Sequence, residues 1–203
     1  MIIPSTAIIY DCEYWTNEGA LQRRWSGLED YPPLLVQLYA VKVDLRAGLN
    51  VLDEYSCYVK NYDRQSKKTI EVTEYFTNLT GISQSTIERL GKDPQQSLRD
   101  FHSFSTSTTC YSYYRDDEQC LTPTNYYYNL DIPFDWLLFS DIRKILIKSG
   151  VERAIVEGAN SGTLAEMMGL DPPTEYQRHD ARYDVHSIVK ALRHLNQKEL
   201  LNW

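Results

Sequence analysis

Ala7-Ile8-Ile9-Tyr10-Asp11-Cys12-Glu13 is the stretch on which the reading of this sequence turns. Four apolar residues in succession, ended by an acid, read as a short buried strand. That strand delivers Asp11 to its end. On an extended backbone alternate residues share a side, so Asp11 and Glu13 point the same way. Two carboxylates on one side repel each other and are tolerated where a divalent cation bridges them. A D-x-E pair arises often by chance, so its weight depends on what accompanies it.

Working outward, residues 34–43 form a second apolar run and residues 51–59 a third with partial alternation. The turn between them carries Gly48 and Asn50, which predicts an antiparallel hairpin. With the opening strand this makes a three-strand meander. The period then lengthens. Residues 72–105 read as mostly helical, broken at Gly81 and Pro94, and 108–113 as a fourth strand. A loop rich in Asn, Pro and Tyr is expected next, followed by helix over 134–149 ending at Gly150. A short helix over 161–168 closes at Gly169. The last helix spans about 180–196, with Val185, Ile188, Val189, Leu192 and Leu195 at core spacing. Strands first, then helices with one late strand, predict an α/β fold with a mixed sheet in a single domain over 1–203.

The chain has 203 residues, 21 basic against 28 acidic, for a net charge of −7. That balance disfavours a protein that coats phosphate with basic side chains, but leaves nucleic acid open where metal ions mediate the contact. No apolar run approaches the roughly 20 residues of a membrane helix. Residues 1–10 lack a basic flank and are broken by Pro4, a poor signal sequence. Cys12, Cys57, Cys110 and Cys120 form no C-x-x-C pair, which favours a reducing compartment, and a cytoplasmic location is expected.

Charge is unevenly spread. Residues 111–141 hold six acids and one base, whereas 178–198 hold five bases and two acids. The bland reading is solvated faces; the sharper one is an acidic metal centre bordered by basic ridges. Arg115-Asp116-Asp117-Glu118 follows the fourth strand, where acids also favour a helix start. His179-Asp180-Ala181-Arg182-Tyr183-Asp184 pairs an imidazole, suited to proton abstraction near neutral pH, with an acid five residues on. His102, His186 and His194 have no metal-like spacing and read as structural or surface residues.

As a set, Asp11-x-Glu13, Asp116/Asp117 and His179-x-Ala181-x-x-Asp184 resemble the DEDDh 3′–5′ exonuclease family. Residues 36–41 and 51–60, Leu79-Thr80-Gly81-Ile82 and Ser161-Gly162-Thr163-Leu164 resemble it too, so the likeness covers nearly the whole chain. It implies an RNase H-like mixed sheet flanked by helices. It also implies two Mg²⁺ or Mn²⁺ ions held by Asp11, Glu13, Asp117 and Asp184, with Asp116 the alternative to Asp117 and His179 the general base. Asp117 is favoured because apolar Cys120 and Leu121 follow three and four residues later.

The implied reaction is hydrolysis of single-stranded DNA or RNA from its 3′ end to nucleoside 5′-monophosphates. Trp15, Phe76 and Tyr113 are candidate stacking residues, and Leu79, Thr80 and Gly81 candidate neighbours of the last sugar. Tyr14-Trp15 stands where the family often has small residues, as a wedge at the terminal base or as packing. Members of the family are often dimers, so a homodimer is an expectation. The alternative function is a non-catalytic module binding nucleic acid or protein on the same fold.

Overall fold

The structure, a computed structural model, describes residues 5–114 and 116–203, with the backbone alone for Asp116 and Asp117. The chain runs β1 (Thr6–Tyr14), α1 (Ala20–Arg23), β2 (Leu35–Asp44), β3 (Asn50–Val59), α2 (Glu74–Thr80), α3 (Gln84–Leu90), β4 (Gly91–Lys92) and α4 (Pro94–Ser105). It continues through β5 (Cys110–Ser112), α5 (Asp116–Tyr127), β6 (Phe139–Asp141), α6 (Arg143–Lys148), α7 (Arg153–Gly158), α8 (Leu164–Met167) and α9 (Ala181–Gln197).

The strands form one sheet in the order β4-β3-β2-β1-β5-β6. β1, β2 and β3 make the antiparallel meander, while β5 runs parallel to β1 and β6 parallel to β5. The meander's turn is set locally. Asp44 accepts from the backbone N–H groups of Arg46 and Ala47, and Gly48 at φ 68° and Leu49 at φ 60° reverse the chain.

The pleat divides the core in two. Ala7 and Ile9 of β1, with Tyr39, Val41 and Val43 of β2, face α9 through Val185, Ile188, Val189, Leu192 and Leu195. Ile8, Tyr10 and Cys12 face the other way, against Leu98 and Phe101 of α4 and Leu121 of α5. A third cluster, around Trp15, Val36, Phe76 and Ile87, fastens α2 and α3 to the end of the meander.

Two expectations need correction. Residues 116–127 are helical although Pro123 lies inside the helix. Thr124 and Cys120 on its inner face are buried, and Thr124 Oγ1 both donates to Cys120 O and accepts from the Leu35 N–H, so tertiary bonds override composition. Residues 134–149 are a single helical turn at Trp136–Leu138, then β6, then α6. A three-residue strand is too short to show a period; Phe139 and Asp141 are buried because β5 supplies its ladder. β4 and α7 were also not anticipated, being two and six residues long.

Candidate active site

β1 ends by turning from core to acid. Asp11 is 6% exposed and Glu13 half-buried, on the face that Ala7 and Ile9 present to α9. Glu13 still pairs with Gln37, but Tyr14 pairs with Leu35, so the register shifts there. The chain then swings away, and Trp15 enters the third core cluster at 3% exposure. Its indole N–H donates to Glu71 O at 3.0 Å, and its ring meets Tyr31 edge-on. Of the two readings of Tyr14-Trp15, Trp15 packs, while half-buried Tyr14 lines the pocket beside the acids.

The start of α9 faces these acids. His179 holds a left-handed backbone at φ 61°, unusual for a residue with a Cβ. Asp180 caps the helix by accepting from the Arg182 N–H, which brings Asp184 into the first turn, 5% exposed. Ser161 Oγ donates to Asp184 Oδ2 at 3.1 Å, while Asp184 Oδ1 has no hydrogen-bond partner among the described residues. A Cβ on Gly162 would lie 2.5 Å from that oxygen, so only glycine lets the 161–163 turn come so close. Burial, partly opposed by the Ser161 hydroxyl, pushes the Asp184 carboxyl up to about 7. Burial and then the Arg178 charge lower the His179 imidazole below its ordinary 6.5, which favours its neutral, proton-accepting form near pH 7.

Ligand atoms of Glu13, His179 and Asp184 all lie within 4.8 Å of one another. The carboxylate oxygens of Glu13 and Asp184 suit a hard divalent cation, and Asp184 Oδ1 has no hydrogen-bond partner among the described residues to compete for it; the His179 imidazole stands beside them. The side chains of Asp117 and Asp116 lie outside the described residues, although α5 opens at that point, directly beyond β5.

The acids and His179 line a pocket of about 260 Å³. α1 and its exit contribute Leu21 and Trp25, α2 contributes Tyr75, Phe76, Leu79 and Thr80, and the end of β5 contributes Tyr113 and Tyr114. Phe76 is fully buried and Tyr113 nearly so, its hydroxyl donating to Val156 O at 2.7 Å, so each shows the pocket little surface. Tyr75, Leu79 and Tyr114 are 43%, 37% and 39% exposed and present more. Thr80 lies in the wall, but its hydroxyl donates to Phe76 O. Gly81 is left-handed at φ 74°, and the approach it permits is taken by the Gln177 amide, which donates to Thr80 O at 2.9 Å. Sequence reasoning overlooked Leu21, Trp25, Tyr75, Tyr114 and Asn160, whose only signal is that distant elements carry them to one place.

No family model and no curated protein sequence matches the chain. Solved structures do. The nuclease domain of 3′hExo, described as a DEDDh family member bound to rAMP, aligns at TM-score 0.73 and 17% identity, over 98% of this chain and 95% of that one. A 3′-exonuclease described in 3′-end specific recognition of histone mRNA stem-loop gives 0.68 at 16% identity, over 96% and 82%. E. coli exonuclease I in complex with a dT13 oligonucleotide gives 0.67 at 18% identity; the alignment takes in 97% of this chain and 42% of that one. The meander, the parallel strands beside it and the helices on both faces are thus those of the RNase H-like fold, in the form carried by DEDDh 3′-exonucleases.

Proposed function

We propose that this chain is a divalent-metal-dependent 3′–5′ exonuclease of the DEDDh family, releasing nucleoside 5′-monophosphates from single-stranded DNA or RNA. The observation that carries the reading is the convergence of Glu13, His179 and Asp184, from opposite ends of the sequence, in a pocket that also contains Asp11. The fold adds weight, because its structural neighbours are 3′-exonucleases.

In this reading Asp11, Glu13 and Asp184, with Asp117 or Asp116, would hold two Mg²⁺ or Mn²⁺ ions. When bound, such ions supply Lewis acidity and positive charge at the phosphate. The chain's own part is positional and acid–base. Tyr14, Leu79 and Tyr75 confine the terminal nucleoside, and Ser161 orients Asp184. Neutral His179 takes the proton of the attacking water. The water oxygen bonds to phosphorus, the P–O3′ bond breaks, O3′ takes a proton from solvent while His179 returns its own to solvent, and the shortened strand leaves with its 3′-hydroxyl. A cleft of about 840 Å³ shares Leu21 and Trp25 with the pocket and extends to Arg24, Pro123 and Trp136. It is the natural continuation for upstream nucleotides, with indole faces for stacking.

The test is incubation of the purified protein with 3′-labelled and 5′-labelled single strands of DNA and RNA, with Mn²⁺ or with chelator. Mononucleotides released from the 3′ end only with the metal are expected. Binding of the strands without cleavage under every condition would instead support the non-catalytic reading.

A further inference from the structure

Two buried acids stand at the entrance to α9, and they are treated differently. Asp184 belongs to the pocket. Asp180, 7% exposed, does not line it, and its carboxylate is fully engaged. Oδ1 accepts from the Arg182 backbone N–H and from Arg182 Nε, both at 2.9 Å, and from Gln37 Nε2 at 3.1 Å; Oδ2 accepts from Arg182 Nη2 at 2.6 Å.

Gln37 is the uncommon member of this group. It lies in the middle of the sheet with no exposure, in a row whose next residues toward α9 are Tyr39, Val41 and Val43. An amide so placed is costly unless both its ends are bonded. Both are, and both go to α9. Nε2 donates to Asp180, and Oε1 accepts from the Ala181 N–H at 2.9 Å, one of the donors a helix start leaves without an internal partner.

The register ties this clamp to the site. Gln37 is the ladder partner of Glu13 on β1 and of Tyr58 on β3. Directly opposed residues of antiparallel strands share a face, so Glu13, Gln37 and Tyr58 form one row beneath the first turn of α9. Tyr58 OH accepts from Arg182 Nη2 at 3.2 Å and extends the clamp across a third strand. His179, the residue before the clamped pair, is held at φ 61°. A left-handed, non-glycine residue persists where its surroundings over-determine it.

We propose that Gln37 is a positioning residue: it fixes the entrance of α9 over β1 and so sets how far His179 and Asp184 stand from Glu13. The inference rests on the exonuclease reading of the site. Gln37 touches neither substrate nor metal in it; it acts through the backbone of residues 180 and 181. Asp180 is the structural counterpart that makes this possible, and Asp184 the functional group that benefits.

Gln37→Met keeps the length of the side chain and removes both hydrogen bonds. Gln37→Glu keeps the acceptor for the Ala181 N–H and loses the donor to Asp180. Each variant and the native protein are assayed on a single-stranded oligonucleotide with Mn²⁺, well below their melting temperatures, and titrated with Mn²⁺ by calorimetry without substrate. Gln37→Met is expected to lower kcat and Mn²⁺ affinity by about 10–100-fold, the usual reach of groups that orient ligands, with KM within about twofold. Gln37→Glu, which sets a second carboxyl against Asp180, is expected to fall at least as far as Gln37→Met in both. Should Gln37→Met not fold, Gln37→Glu carries the test on the same readouts. A folded variant with native kcat and native Mn²⁺ affinity overturns the positioning role while the exonuclease reading stands. A native protein that neither cleaves nor binds Mn²⁺ overturns that reading, and the positioning role with it.

Discussion

β1 shows one face to α9 and the other to α4 and α5, and the two faces end differently. On the α4 side Ile8, Tyr10 and Cys12 continue as core, each no more than 4% exposed. On the α9 side Ala7 and Ile9 begin the same way, and then the row becomes Asp11 and Glu13. Neither carboxylate extends the apolar core, and acids drawn in beside it are tolerated where polar or charged groups meet them. A face that is core along its whole length reports on stability. In the proposed reading, the face that changes from core to acid beneath a helix start carries the chemistry.

The comparison breaks most completely if the acidic end is emptied. Asp11→Ala and Asp184→Ala are expected to abolish release of mononucleotides while melting cooperatively; turnover of a 3′-labelled strand at the native rate by either variant would remove the acids from the reaction. His179→Ala should lower kcat by about 10²–10⁴-fold, the range of general base catalysis, with a smaller change in KM. Full activity in that variant would leave the imidazole without a role.

On the opposite face, Phe101→Ala removes a fully buried ring that packs on Tyr10, Tyr55 and Phe134. It should cost about 3–5 kcal/mol of stability by urea titration, with specific activity unchanged at low temperature. Loss of activity in the fully folded variant would mean that the two faces are not independent.

The smallest effect concerns pH. Below pH 3.8 the Asp184 carboxyl is protonated in folded and unfolded chains alike. Between there and about 7 the folded chain keeps a proton that the unfolded chain has released. This group therefore favours the fold at low pH, and that contribution is lost as pH rises through about 7. In chelator at pH 8 Asp184→Asn should melt above the native protein by several degrees, and the difference should shrink as pH falls below 7. A variant that melts no higher at pH 8 would contradict the burial of a carboxylate only partly compensated by Ser161.

Much of the fold was legible because it is periodic or punctuated. The unbroken apolar run of β1, the turn at Gly48 and the stripe from Val185 to Leu195 each write their place into neighbouring residues. β4 and β6 write almost nothing, because strands of two and three residues take their identity from the strand beside them. α5 was harder still: its composition argues for a loop, and the bond between Thr124 and the Leu35 N–H, 89 residues away, argues otherwise. For the site, Asp11, Glu13, His179 and Asp184 were legible as residue types in a particular order. Their meeting within a few ångströms was not, nor was the burial of Trp15 or the covering of Gly81 by Gln177.

By itself the sequence determined which residues have chemistry to offer and which faces must be buried, since both follow from side-chain type and local period. Only the tertiary structure decided which of them meet. Asp180 and Asp184 are the same amino acid one helical turn apart, yet Gln37 and Arg182 saturate the first while Ser161 and Gly162 leave an oxygen of the second without a proton donor among the described residues. The reason is physical. Local pattern fixes where a carboxylate points along its own helix, but its solvation and partners come from strands and turns that only the folded chain brings beside it.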